Sequence, residues 1–157
     1  MPKLFSRRSL IFRFAICFPF FLIPNIAISQ DVNTRLLQAS AKGDAAEVQV
    51  SISQGADLKT SDNFGKTALI MAAERGHTQV VSLLLKNGAD ANATTRDNTT
   101  ELMGAVIGEH VETIKALLSS GANVNVRSMH DYTALKYAER GRNEEIIRIL
   151  KEAGATN

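Results

Sequence analysis

Beyond the first thirty residues, apolar side chains return in short runs at helical spacing, and polar, turn-forming stretches separate the runs. The run Leu69-Ile-Met-Ala-Ala predicts a short helix that ends at Gly76. Val80, Val81, Leu84 and Leu85 then share one face of a second helix, Thr78 to Asn87, and Gly88 is placed to supply the left-handed residue that ends it. Between such units lie stretches like Asp62-Asn63-Phe64-Gly65-Lys66, which favour a tight turn. The pattern repeats. Leu36, Leu69, Leu102 and Leu135 stand 33 residues apart, as do Ala39, Ala72, Ala105 and Ala138, and Val48, Val81, Ile114 and Ile147. Thr34, Thr67, Thr100 and Thr133 keep that period, and so do Gly55, Gly88, Gly121 and Gly154. Five position classes, each filled four times at a single period, define four copies of one helix-turn-helix unit.

Each class has a physical role. Threonine ahead of the first helix offers its hydroxyl to the free N–H groups of the first turn. Alanines on that helix let the neighbouring unit approach closely, and the turn position is filled by Gly65, then Asn98, then Asp131, residue types that tolerate positive φ.

The stretch Thr67-Ala-Leu-Ile-Met-Ala-Ala-Glu-Arg-Gly-His-Thr-Gln-Val-Val-Ser-Leu-Leu-Leu-Lys-Asn-Gly-Ala-Asp-Ala-Asn92 resembles an ankyrin repeat along its whole length. The resemblance covers about residues 32 to 157 and implies an all-α repeat solenoid. It would comprise four ankyrin-type helix-turn-helix repeats of period 33, at about 32–61, 62–94, 95–127 and 128–157, joined by short hairpin loops. One departure recurs: the family's Thr-Pro-Leu-His opening is Thr67-Ala-Leu-Ile, Thr100-Glu-Leu-Met and Thr133-Ala-Leu-Lys here, which predicts looser hairpins. Terminal repeats must cover the core with a polar face. Gln38, Lys42, Gln49, Ser51 and Ser53 would do so at one end, and Arg142, Asn143, Glu144, Glu145, Arg148 and Lys151 at the other.

The first 29 residues differ from the rest. Basic residues from Lys3 to Arg13 precede the apolar run Phe14 to Pro24, and Ala27-Ile-Ser29 places small residues before a cut between Ser29 and Gln30, so this segment reads as a cleaved secretory signal. The run is too short to span a membrane and contains Pro19 and Pro24. Ser6-Arg7-Arg8-Ser9-Leu10 resembles a twin-arginine signal, but the strong apolar stretch favours the general secretory route. Residues 30–157 then form the repeat domain, with the bacterial periplasm as the expected location.

Removing the signal changes the charge. The whole chain is +2, but Lys3, Arg7, Arg8 and Arg13 are four of its 18 basic residues and the segment holds none of its 16 acidic ones, so the remainder is −2. A basic surface for nucleic acid is therefore not expected, nor a membrane contact after cleavage. Cys17, the one cysteine, falls in the signal, so the mature domain can form no disulfide. Ile16 before it does not fit a lipoprotein cut.

No nucleophile elbow, phosphate loop or metalloprotease motif occurs, so neither an enzyme nor a cofactor or metal is expected. His77 and His110 share a repeat position and read as structural, too far apart to share a metal. Asn92-Ala-Thr94 and Asn98-Thr-Thr100 are sequons of little weight.

The ankyrin resemblance implies binding of another protein by a monomeric stack. The partner could be a periplasmic protein that the stack scaffolds or protects, a toxin that it inhibits as an immunity protein, or a host protein met by a secreted effector. Mapped by period, the family's variable contact positions are Asn63, Phe64, Lys66, Glu74 and Arg75, then Arg96, Asp97, Thr99 and Ile107, then Met129, His130, Tyr132 and Arg140. Phe64, Met129 and Tyr132 are the candidate anchors. Phe64 and Tyr132 could instead fold back over the stack and shield the alanines.

Overall fold

The computed structural model describes residues 25–156, and most of the expected signal, including Cys17, lies outside them. Eight helices follow in order among the described residues: α1 (Asn25–Lys42), α2 (Ala45–Ser53), α3 (Ala68–Glu74), α4 (Thr78–Lys86), α5 (Glu101–Ile107), α6 (Val111–Ser119), α7 (Ala134–Gly141) and α8 (Glu144–Glu152). Consecutive helices pack as pairs. The first helices also pack on one another, α1 on α3, α3 on α5 and α5 on α7, while α2, α4 and α6 follow one another in a second layer. The result is an α-helical solenoid. None of these helices is long and apolar enough to cross a membrane.

The core runs between the two layers. Leu36, Leu69, Leu102 and Leu135 are at most 1% exposed, and Val48, Val81 and Ile114 are fully buried. Thr67, Thr100 and Thr133 cap α3, α5 and α7 as the spacing predicts, their hydroxyls accepting from the N–H groups of Ile70, Met103 and Lys136. Asn98 and Asp131 adopt positive φ at the turns, as does Gly65.

Three expectations need correction. Thr34 lies well inside α1, so it caps no helix start, because α1 begins at Asn25 and not beside it. Ser51 is fully buried and no part of a polar outer face: it occupies the place that Leu84, Leu117 and Leu150 fill in the other pairs, and its hydroxyl has no hydrogen-bond partner among the described residues. Ile147 is only half-buried, since no further helix packs over α8 among the described residues.

Both shared histidines hold neighbouring units together. His77 Nε2–H donates to the Ala41 carbonyl at 3.2 Å and His110 Nε2–H to that of Glu74 at 3.1 Å. The His110 ring fills the space beside Gly76, where a Cβ would collide with it. At the matching position Asn143 caps α8 and reaches Glu109 Oε2 at 3.2 Å. Asparagines tie the loops in the same way: Asn92 Oδ1 accepts from Asn123 N at 2.7 Å, and Asn125 Oδ1 from Thr156 N at 2.8 Å. The sequon residues Asn92 and Asn98 are thus engaged through their side chains, Asn92 by Gly121 and Asn123 of the next unit and Asn98 by Arg127 ahead of α7.

Candidate partner-binding surface

Each hairpin is closed by one backbone pattern and one side-chain oxygen. In the hairpin before α3, Asp62 N–H donates to Lys66 O at 3.0 Å, and the Asp62 carboxylate accepts from the N–H groups of Phe64 and Lys66 at 2.8 and 2.9 Å. Before α5, Thr95 Oγ1 accepts from Thr99 N–H at 3.1 Å, and before α7, Ser128 Oγ accepts from Tyr132 N–H at 3.3 Å. Asp62, Thr95 and Ser128 recur at the 33-residue spacing, a signal that sequence reasoning passed over. Their side-chain oxygens add a hydrogen bond within each of these hairpins.

The hairpins are also bonded to each other. Arg96 N–H donates to Phe64 O at 3.1 Å and Met129 N–H to Asp97 O at 2.9 Å. Asn98 Nδ2 adds a bond to Arg127 O. The tips therefore stand in fixed register along one side of the stack.

Five of the sequence-predicted contact residues meet in one cleft. Phe64, Lys66, Glu74, Asp97 and Thr99, with Thr95, line a cavity of about 300 Å³ between two hairpins and the end of α3. Lys66 Nζ and Glu74 Oε2 form an ion pair at 2.7 Å. The Glu74 side chain crosses α5 at Gly104, where a Cβ would stand 2.7 Å from Glu74 Cγ. Ile107 and Arg140 line a second cleft of about 310 Å³ with Glu109, Tyr137 and Asn143. Arg96 lines a third, with Lys59 and Asp90. Asn63 and Arg75 are exposed, with Arg75 Nη1 donating to Met71 O, and Met129 and His130 stand exposed at the last tip.

The candidate anchors behave differently. Phe64 is 70% exposed and Met129 is 72% exposed, and Ile107 joins them at 59%. Tyr132 instead folds back: its ring stacks on Tyr137 of α7 at 5.2 Å between centroids, which leaves it half-buried.

Glu101 was not foreseen. It sits in the first turn of α5, where α3 and α7 have Ala68 and Ala134, and is 1% exposed with Oε2 unpartnered among the described residues. Burial pushes its carboxyl up to about 8, opposed by a hydrogen bond from its own backbone and aided by the Asp90 charge. The sequence signal was there, an acid at an alanine position, but nothing in the sequence tells that the side chain is enclosed.

Paired helices stacked in two layers, with bonded hairpins projecting from one side, define a helical-repeat scaffold. A family model for ankyrin repeats (3 copies) matches residues 36–128, and the chain belongs to the ankyrin-repeat family. Ankyrin repeats are protein-binding modules, typically without catalytic activity. No curated protein matches the chain.

Proposed function

We propose that this chain is a four-repeat ankyrin module of period 33 that acts in the bacterial periplasm, after cleavage between Ser29 and Gln30, as a binder, scaffold or protective accessory of another protein. The observation that carries the reading is the exposure of Phe64, Ile107 and Met129 on the hairpin and inner-helix side, where the core needs none of them. Large apolar side chains held by a rigid backbone are what interface centres use. The contact set is the one read from the period: the cleft of Phe64, Lys66, Glu74, Asp97 and Thr99 and the cleft of Ile107 and Arg140, flanked by Asn63, Arg75, Arg96, Met129, His130 and Tyr132. A mature chain starting at Gln30 keeps the buried residues Val32, Leu36 and Ala39 of α1.

Capture from periplasmic extract with the parent chain and with Phe64→Ala tests the reading. A partner retained by the parent and depleted by the variant supports it, and a partner retained equally by both moves the contact surface elsewhere. Fractionation with N-terminal sequencing tests the location, and a cytoplasmic chain still starting near Met1 would refute it.

A further inference from the structure

We propose that the cleft between the hairpins before α3 and α5 takes a single arginine side chain of the partner, with the guanidinium between the Phe64 ring and the Asp97 carboxylate. This rests on the protein-binding reading and names the chemistry that the surface recognises. The cleft has two carboxylates and one ammonium. Lys66 is spent on Glu74 at 2.7 Å, while Asp97 has no cationic partner among the described residues, so the cleft keeps one uncompensated negative charge. Arg96, the nearest cation in sequence, forms no ion pair with it among the described residues and lines another cleft, with Lys59 and Asp90.

The apolar wall is Phe64, 70% exposed. A cation gains from the face of an aromatic ring, and a guanidinium can stack on the ring while its fork donates to a carboxylate, which an ammonium cannot match. Thr99, half-buried at the rim, offers a further acceptor. The two walls are held in register before any partner arrives, because Phe64 O accepts from the N–H of Arg96, the neighbour of Asp97, at 3.1 Å. Little ordering is then left to occur on binding. A cleft of about 300 Å³ has room for one long side chain and not for a helix or strand.

The test is an NMR titration of the isotopically labelled full chain with Nα-acetyl-arginine amide, against the citrulline, lysine and glutamate analogues. The arginine probe should shift the amides of Phe64, Asp97 and Thr99 saturably. Citrulline, of the same shape without charge, should bind at least about tenfold more weakly. Asp97→Asn and Phe64→Ala should each remove most of the response, with Lys86→Gln, an exposed cation in the last turn of α4, as a control that leaves it unchanged. Equal binding of citrulline, equal or tighter binding of lysine, or a stronger response to glutamate would overturn the proposal, the last by making Lys66 the docking point. So would a response that survives Asp97→Asn. Capture of a protein partner that is insensitive to Asp97→Asn would remove the arginine assignment while leaving the protein-binding reading intact.

Discussion

Glu74 lies against Gly104 so closely that a methyl group at 104 would stand 2.7 Å from Glu74 Cγ. A glycine inside a helix ordinarily costs about 1 kcal/mol relative to alanine. Gly104→Ala should therefore recover less than that here, because the new Cβ pushes Glu74 off its ion pair with Lys66. In a Glu74→Ala background the full gain of about 1 kcal/mol should return. Urea denaturation of the two single variants and the double variant measures the coupling, and strict additivity would show that the two side chains do not compete for this space.

Glu101 should make stability depend on pH. Its carboxyl is raised from 4.5 to about 8, so the folded chain keeps a proton that the unfolded chain releases. The contribution is complete below pH 4.5, declines by roughly 1.4 kcal/mol per pH unit as pH rises toward about 8, and then levels off. Glu101→Gln, of similar shape and without charge, should abolish that decline. Urea midpoints at pH 5, 7 and 9 decide it: a constant difference between variant and parent would mean that the carboxyl is solvated.

Leu102 is fully buried in the middle of the stack. Leu102→Ala should cost about 2–5 kcal/mol as a cavity mutation. Thermal and urea unfolding report it directly, and an unchanged midpoint is incompatible with the packing described.

Arg142 has φ 57, a left-handed conformation that costs a residue with a Cβ about 1–2 kcal/mol. Because the side chain is exposed, Arg142→Gly should stabilise by about 0.5–1 kcal/mol. Glu109, at φ 58, should gain less from the same change, since its Oε2 accepts from Asn143. Equal gains at both sites would show that the Asn143 bond contributes nothing.

Phe64 and Tyr132 should separate in a paired experiment. Phe64→Ala should leave the melting temperature nearly unchanged and cost about 2 kcal/mol or more in partner affinity. Tyr132→Ala should lose about 0.5–1.5 kcal/mol of stability with its stack on Tyr137. Calorimetric melting of both variants, beside affinity for the captured partner, distinguishes a ring that reads from a ring that supports.

The helices were legible because their causes are local and periodic. Thr67, Thr100 and Thr133 announce helix starts through a hydroxyl and a spacing, and Leu36, Leu69, Leu102 and Leu135 announce the core by recurring. What stayed hidden depends on residues brought together from separate units. Nothing in the sequence says that Glu101 is enclosed when Ala68 and Ala134 hold its place next door, or that Ser51 stands where leucines do. At the candidate surface, the period picked out the hairpin positions. It could not tell that Lys66 is neutralised by Glu74 while Asp97 is left uncompensated, because that depends on where side chains from different elements end.

The bonds between neighbouring tips, Phe64 O with Arg96 N–H and Asp97 O with Met129 N–H, use main-chain atoms only. Any residue but proline at 96 or 129 could donate the same bond. Display and alignment are thereby separable at these positions: the side chains at 64, 97 and 129 can change while the main-chain bonds persist, whereas Asp62, Thr95, Asn98 and Ser128 use their side chains to close or join the hairpins. Under the proposed contact set, grafting new side chains at 64, 97 and 129 should change which protein is bound while the stack that presents them stays as it is.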